Sequence, residues 1–266
     1  MRTALAVGLL LVGCGTDPAK PEEPVARLPL APLVGAGVTP VGVSIAPDGT
    51  RFVLDDAYGL VRLDGQTATV VMSMAQLPPA EQPLVRPVTD LVALGPDLFA
   101  FTAINDGFLL DTKAKTLHQF FCYLPGDDGT TPRSITQRTD SLAYDAAAQR
   151  LWAQPRTFDA AGAFQYAQLA EYDRTSGTDV AWHSVGNDVA ATAAIVLPGK
   201  GLVLGQGAEL LAFDPAQGSL APLDDLSRYG IESIDGLAFD PVSGVLVVVD
   251  GVTDELVDLD VSRLSL

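Results

Sequence analysis

A short unit of apolar strands and polar turns recurs five times along the sequence. Each unit contains an apolar-x-apolar-Asp run, and the five runs end at Asp64, Asp111, Asp173, Asp214 and Asp260. A short polar stretch follows the first four aspartates, as expected where a hairpin turn joins two strands. The repeat therefore predicts antiparallel β-structure built from copies of one module.

A second motif marks the start of each unit. It is an apolar strand that ends in a turn, as in residues 42–49 (GVSIAPDG) and 236–241 (GLAFDP). The units begin near residues 42, 91, 141, 193 and 236, a spacing of roughly 50 residues. Further apolar runs complete four strands per unit, which is typical of a β-propeller blade. A β-sandwich is the alternative, but it does not require two motifs in the same order five times.

The two ends of the repeat region are complementary. The last unit has only residues 261–266 after its third strand, whereas residues 25–38 form an apolar stretch that precedes the first unit. We expect this N-terminal stretch to supply the missing strand of the last blade, because such closure removes free sheet edges. The prediction is an all-β, five-bladed β-propeller over residues 25–266, closed by an N-terminal strand.

The blade pattern resembles the repeats of bacterial NHL- and YVTN-type propellers. The resemblance is strongest at residues 235–241 (DGLAFDP), which are followed by Ser243-Gly244 and an apolar run. It covers residues 25–266 and implies an architecture rather than an activity, because one propeller fold carries many functions.

The first residues are organised as an export signal. Arg2 precedes an unbroken apolar run, residues 4–12, that is too short to span a bilayer as a helix of about 20 residues. The run ends in Leu11-Val12-Gly13-Cys14, which resembles the lipobox of bacterial lipoproteins. The resemblance implies cleavage after residue 13, diacylglycerol on Cys14 and, with Gly15 next, sorting to the outer membrane. An ordinary secretory signal with a chance cysteine is the alternative.

The segment after the cysteine is predicted to be a tether. Residues 15–24 (GTDPAKPEEP) repeat proline at every third position, which suits an extended left-handed helix. The predicted organisation is a signal peptide at 1–13, the lipidated cysteine and Pro-rich tether at 14–24, and the propeller at 25–266. The predicted location is the cell envelope, with the protein held to its membrane by lipid.

Composition excludes several classes of function. The net charge is −17 and no basic block occurs, which argues against binding to nucleic acid or to anionic lipid through basic residues. Two histidines and two cysteines are too few for a zinc cage or a disulfide framework.

The residue just before the first strand of each unit is the best candidate for chemistry. It is Asp90, Asp140 or Asp235 in three units, and Val41 or Thr192 in the other two. The first strand of a blade is innermost, so these carboxylates would surround one mouth of the central channel. Together they could bind Ca²⁺, which takes six to eight oxygen ligands. Alternatively, each aspartate accepts backbone N–H groups of its own blade connection.

Asp235-Gly236 also resembles the Asp-Gly at a strand start in gluconolactonase-like propellers, where that aspartate is a metal ligand. The resemblance implies a calcium-dependent hydrolase at the channel. The Glu-Gly-Pro metal motif and the sixth blade of those enzymes are absent from this sequence.

Two long connections and one insertion are candidates for partner binding. The connections are residues 76–88 and 125–139, and long loops of compact folds are often functional. The insertion, around residues 157–166, carries Phe158, Phe164 and Tyr166, which are aromatic residues of the kind that anchor partners. A longer hairpin that packs its own aromatic side chains is the alternative.

These features favour a membrane-anchored lipoprotein whose propeller is a non-catalytic binding or scaffolding module for a protein or glycan partner. This function requires no cofactor. The second hypothesis is a calcium-dependent hydrolase of gluconolactonase-like type acting at the channel.

Overall fold

Five four-stranded antiparallel sheets make up the part of the protein that the structure describes. The computed structural model describes residues 22–34, 38–56, 59–73, 76–77, 88–103, 106–122, 136–159, 161–186 and 189–265. The predicted signal peptide, Cys14 and residues 15–21 of the predicted tether lie outside the described residues.

The strands of each blade are named A to D, from the innermost to the outermost. Blade 1 contains β2 (Pro40–Ile45), β3 (Arg51–Asp55), β4 (Leu60–Asp64) and β5 (Thr67–Met72). Blade 2 contains β6 (Val88–Ala93), β7 (Leu98–Ala103), β8 (Asp106–Asp111) and β9 (Thr116–Cys122). Blade 3 contains β10 (Thr136–Asp145), β11 (Arg150–Phe158), β12 (Phe164–Asp173) and β13 (Asp179–Ser184).

The remaining blades follow the same plan. Blade 4 contains β14 (Ala193–Leu197), β15 (Gly201–Gln206), β16 (Glu209–Asp214) and β17 (Ser219–Asp225). Blade 5 contains β18 (Ile234–Asp240), β19 (Val245–Asp250), β20 (Glu255–Asp260) and β1 (Ala26–Pro29). The A strands contact one another in a closed ring, from β2 through β6, β10, β14 and β18 back to β2. The predicted five-bladed propeller is confirmed.

The N-terminal strand closes the ring, as predicted. Strand β1 lies antiparallel to β20, with Ala26 opposite Asp258 and Pro29 opposite Glu255. Arg27 reinforces the pairing, since its Nη1 donates to Glu255 Oε2 (2.7 Å). Chain ends that are far apart in sequence therefore complete one sheet.

Helical structure is sparse in the described residues. It consists of α1 (Ala31–Val34) and two 3₁₀ turns, Leu226–Tyr229 and Val261–Arg263. Within these ranges, no helix is long and apolar enough to cross a membrane.

The core consists of apolar clusters between neighbouring blades. Phe52 of blade 1 meets Phe99 of blade 2 edge to face, with ring centroids 4.7 Å apart. Phe121 of blade 2 stacks on Tyr172 of blade 3 at 4.1 Å. Strand alternation sends every second side chain of a blade toward each neighbour, so the sheets pack face to face around the ring.

The repeated aspartates cap turns. Asp173 shows the pattern: its Oδ1 accepts the backbone N–H groups of Thr175 and Ser176, both at 3.0 Å. These bonds favour the ionised carboxyl and lower the pKa of Asp173. Turn capping and surface charge thus account for these carboxylates without a ligand.

Blade 3 is longer than its neighbours. Strands β10 and β12 have 10 residues each, whereas β2 has 6. The predicted connection 125–139 therefore ends in a strand, because residues 136–139 belong to β10 and pair with β11. The predicted insertion is an extension of the β11–β12 hairpin, and it projects blade 3 beyond the ring at one end.

Candidate functional site

The two ends of the central channel differ because the strands alternate in direction. The A strands begin at one end, together with the B–C turns, and the A–B turns lie at the opposite end. A cavity of about 100 Å³ lies where the A strands begin. We call this site the polar mouth, and its lining consists of Val41, Val88, Thr89, Arg138, Asp140, Thr192 and Asp235.

β-Bulges direct residues into the polar mouth. Four A strands lose register with their B strands at this end, in the steps Pro40/Gly42, Val88/Asp90, Thr139/Leu142 and Ile234/Gly236. The residues within those steps include Val41, Thr89, Asp140 and Asp235, all of which line the mouth. A bulge adds a residue without a ladder partner and re-aims its side chain. In blade 4, Thr192 takes the equivalent place directly before β14.

Asp90 is not part of the polar mouth, contrary to the expectation from sequence. Thr89 occupies that place, and Asp90 is only 1% exposed. Its Oδ1 accepts Leu91 N–H and its Oδ2 accepts Leu142 N–H of blade 3, both at 2.7 Å. A shift of one residue along a strand moves the side chain to the other face. Burial raises the pKa of Asp90 well above its ordinary value.

Asp140 is held by two arginines. It forms ion pairs with Arg138 Nε and with Arg156 Nη2. The two arginines lie directly opposite each other in the β10–β11 ladder. The Asp140 side chain is 3% exposed, that of Arg156 14% and that of Arg138 52%. Burial and the charge of Arg138 lower the pKa of Arg156. One carboxylate cannot neutralise two guanidinium groups, so this side of the mouth has a net positive charge.

Unpartnered polar atoms lie beside this ion pair. Four buried side-chain atoms have no hydrogen-bond partner among the described residues: Ser141 Oγ, Gln154 Nε2 and Oε1, and Arg156 Nε. Gln154 faces the bulge across the β10–β11 ladder, where two residues oppose one. Buried polar atoms without a protein partner are completed by bound water or an ion, or belong to a functional site.

Asp235 gives the mouth a carboxylate on another blade. Ser233 Oγ donates to its Oδ1 (2.8 Å), while burial and the nearby charges of Asp250 and Asp254 raise the pKa of Asp235. A Cβ at Gly251 would overlap Asp235 Oδ2. Glycine at position 251 therefore leaves the space that this carboxylate occupies.

The three predicted metal ligands do not come together. Asp140 and Asp235 reach the mouth, but Asp90 faces the blade 2–blade 3 contact. In the described ranges, no group of three or more His, Cys, Asp or Glu side chains is placed to hold a metal ion. Calcium binding therefore stays a prediction.

The predicted aromatic residues lie at the same end as the polar mouth. Phe158 and Phe164 contact each other edge to face, with ring centroids 5.9 Å apart, and Arg156 Cζ lies 5.5 Å from the Phe158 ring. Tyr166 is 40% exposed. Two of the three aromatic residues thus pack within the hairpin, and Tyr166 remains on the surface. Most of both predicted loops, residues 78–87 of the first and 125–135 of the second, lies outside the described residues.

Sequence reasoning missed Thr89 and both arginines of the mouth. Arg138 could have been found, because it lies two residues from Asp140 and so on the same side of a strand. Arg156 could not, since its place depends on the register between β10 and β11.

No protein-family model and no curated protein sequence matches this chain. Solved structures do match. Glutaminyl cyclase from Myxococcus xanthus has 13% sequence identity and a TM-score of 0.58, over 89% of this chain and 94% of that one. A gluconolactonase from Xanthomonas campestris has 13% identity and a TM-score of 0.54, over 85% and 73%. A luciferin-regenerating enzyme has 11% identity and a TM-score of 0.53, over 87% and 78%. At these identities the likeness establishes a shared β-propeller fold.

Proposed function

We propose that this protein is a lipid-anchored binding protein of the cell envelope, whose propeller holds a carboxylate-bearing ligand at the polar mouth without transforming it. The observation that supports this function is the convergence of Arg138 and Arg156 on the single carboxylate of Asp140. Arg138 lies in the cavity at the channel end, where Asp235 lines another side, and the net charge of the whole chain is −17.

Arg138 is the residue that meets the ligand. Its side chain is 52% exposed, and its contact with Asp140 is made through Nε. A guanidinium has five N–H donors in a planar fork that matches a carboxylate, so Arg138 has further donors for a second anion. Asp140 holds the group in place, and Arg156 adds positive charge behind it.

The size of the mouth indicates which part of the ligand enters. Small-molecule sites usually enclose about 300–1,000 Å³, whereas this cavity measures about 100 Å³. It accommodates an end group rather than a whole molecule. The C-terminal carboxylate of a peptide or protein fits this description, and the exposed ring of Tyr166 on the same face can contact the residues that precede it.

Binding can be tested with a short acetylated peptide in two forms, one with a free C-terminal carboxylate and one with an amide. We expect the acid to bind by calorimetry and the amide to bind at least about tenfold more weakly, because it lacks the charge that Arg138 recognises. Arg138→Gln should remove this preference. The matched control is Arg62→Gln, an exposed arginine on β4, which should leave binding unchanged.

Two results would count against this assignment. If oligogalacturonate binds through Arg138 and the peptide acid does not, the carboxylate belongs to an acidic glycan. If neither binds, or if Arg62→Gln weakens binding as much as Arg138→Gln, the polar mouth is not the binding site.

The anchor is supported by the lipobox at residues 11–14 and by the Pro-rich segment that follows. A net negative chain is repelled by an anionic membrane surface, so a tether would hold the propeller away from it. Metabolic labelling with an alkyne fatty acid should mark the wild-type protein and Cys122→Ser, but not Cys14→Ser. Labelling of Cys14→Ser would show that Cys14 is not the lipidated residue.

A further inference from the structure

The opposite end of the channel is a larger, apolar cavity of about 470 Å³ to which all five blades contribute. One half-buried apolar side chain per blade, at or directly after the end of the A strand, defines its wall, and we call this cavity the apolar funnel. These five residues are Ile45, Leu94, Tyr144, Val196 and Phe239. The volume lies within the range of about 300–1,000 Å³ that small-molecule sites occupy.

The funnel offers burial with little hydrogen bonding. The A–B turns extend its wall with further apolar residues, including Pro47, Ala146 and Pro241. Ser44 is the polar exception near its base, and its Oγ is already used, because it accepts Ala93 N–H (2.7 Å). An occupant must therefore have an apolar body.

The turns around the opening are acidic. Asp48, Asp145 and Asp240 each adjoin a residue that lines the funnel. Each carboxylate accepts a backbone N–H of its own turn, such as Thr50 N–H on Asp48 (3.0 Å) and Val242 N–H on Asp240 (2.9 Å). The Thr50 N–H bond lowers the pKa of Asp48, and the Ser243 hydroxyl, which donates to Asp240 Oδ2 (2.6 Å), is the main cause that lowers the pKa of Asp240. Asp48 and Asp240 are thus ionised at neutral pH.

The cations near the opening do not reverse its sign. Arg51, whose charge acts on Asp240, is itself paired with Asp258 (2.9 Å). Blade 4 carries Lys200 in its A–B turn, where other blades carry aspartate. Arg174 lies with its Cζ 5.9 Å from the centre of the Tyr144 ring. The acidic turns therefore still favour a positively charged group at the opening.

We infer that the apolar funnel binds one amphiphilic organic cation, with its apolar body inside the channel and its positive group at the acidic turns. The inference does not depend on the polar mouth, because the two cavities share no lining residue. It adds a second site, selective for the opposite charge, to the same channel.

The test uses three ten-carbon probes on the purified protein, each below its micelle concentration: decyltrimethylammonium, decanoate and decanol. We expect the ammonium probe to bind at one per chain by calorimetry, and about tenfold more tightly than decanoate. Decanoate binding as tightly as the ammonium would overturn the assignment of a cation. Failure of the ammonium probe to bind would overturn the site.

Variants of the wall locate the probe. Val196→Gln and Ala146→Phe should each weaken binding at least about tenfold, the first by making the wall polar and the second by narrowing the opening. The matched control is Val70→Gln on the outer strand β5, where the valine is 62% exposed. Melting temperatures show which variants are folded, and equal binding by both folded wall variants and the control would exclude the funnel.

Variants of the turns test the charge. The triple change D48N/D145N/D240N keeps an Oδ1 acceptor in each turn but removes three negative charges. It should abolish the preference for the ammonium probe and leave decanol binding unchanged. Retention of the preference would overturn the role of the acidic turns. Concentration-dependent dimerisation without probe binding would identify a second copy of the chain as the occupant and overturn the inference.

Discussion

The two ends of the channel are built from the same five strands, yet one is polar and the other apolar. The difference arises from the register in which each A strand pairs with its B strand. At the apolar funnel each A strand keeps its ladder with the B strand, and one apolar residue per blade reaches the channel. At the polar mouth, bulges interrupt the ladder and turn Asp140 and Asp235 inward. The comparison shows how small irregularities add a distinct site to a repetitive fold.

The largest effect is expected from Asp140→Ala at the polar mouth. The change leaves Arg138 and Arg156 facing each other without their shared carboxylate. Removing one partner of a buried ion pair typically costs about 3–5 kcal/mol, and we expect about 3 kcal/mol because Arg138 is half exposed. Urea unfolding at pH 7 measures this loss in the free energy of unfolding. The control, Asp64→Ala at an exposed turn, should lie within about 0.5 kcal/mol of wild type, and an equally small effect of Asp140→Ala would show that the pair is not structural.

The next effect compares glycines at the two ends. Gly251→Ala should destabilise the protein by about 1–3 kcal/mol, because the added Cβ overlaps the Asp235 carboxylate. Gly95→Ala, in a blade 2 turn at the funnel end, should be nearly neutral, since its Cβ would have only Leu98 Cβ near it, at 3.9 Å. Thermal unfolding of both variants measures the contrast. Adding Asp235→Ala should recover part of the loss at Gly251, and no recovery would contradict the proposed overlap.

A smaller, pH-dependent effect is expected from Asp235→Asn. The raised pKa of Asp235 means that the folded chain binds this proton more tightly than the unfolded chain. Ionisation of Asp235 therefore destabilises the fold at neutral pH, and this penalty disappears as the pH falls toward the unfolded-state value of about 4. At pH 7 the melting temperature of the variant should be about 1–3 °C higher than that of wild type. Near pH 4 the two proteins should melt at the same temperature. If the melting temperature of the variant rose further above that of wild type as the pH fell, the predicted direction of the pH dependence would be wrong.

The smallest effect is expected from calcium. Asp140 is already paired with two arginines and Asp90 accepts two backbone N–H groups, so we expect the melting temperature to change by less than about 1 °C between calcium and chelator. A larger rise with calcium that is lost in Asp90→Asn, Asp140→Asn and Asp235→Asn would favour the hydrolase hypothesis.

The architecture could be predicted because it depends on patterns that recur. Five copies of one strand order, and an apolar segment left over at the N-terminus, predict a closed ring with β1 beside β20. The polar mouth could be predicted only in part. Asp140 and Asp235 were expected there, but the bulge in blade 2 places Thr89, rather than Asp90, in the mouth. The pattern of apolar residues in a sequence does not reveal a shift of one residue in strand register.

The apolar funnel was not predicted at all. Ile45, Val196 and Phe239 alternate with their neighbours just as core residues do, so periodicity cannot distinguish a channel wall from a blade contact. Only the radial arrangement of the blades leaves these side chains facing a common space.

Closure by β1 also determines how the protein bears a mechanical load. In a chain held at its N-terminus, tension reaches the propeller first at Glu22, whose N–H donates to Arg228 O (2.6 Å), then at Val25, whose N–H donates to Asp258 O (2.8 Å), and is transmitted along the seam with β20. The seam joins the first and last described strands, so rupturing it would open the ring at a single gap. The resistance of the ring to such a load therefore depends largely on one four-residue strand.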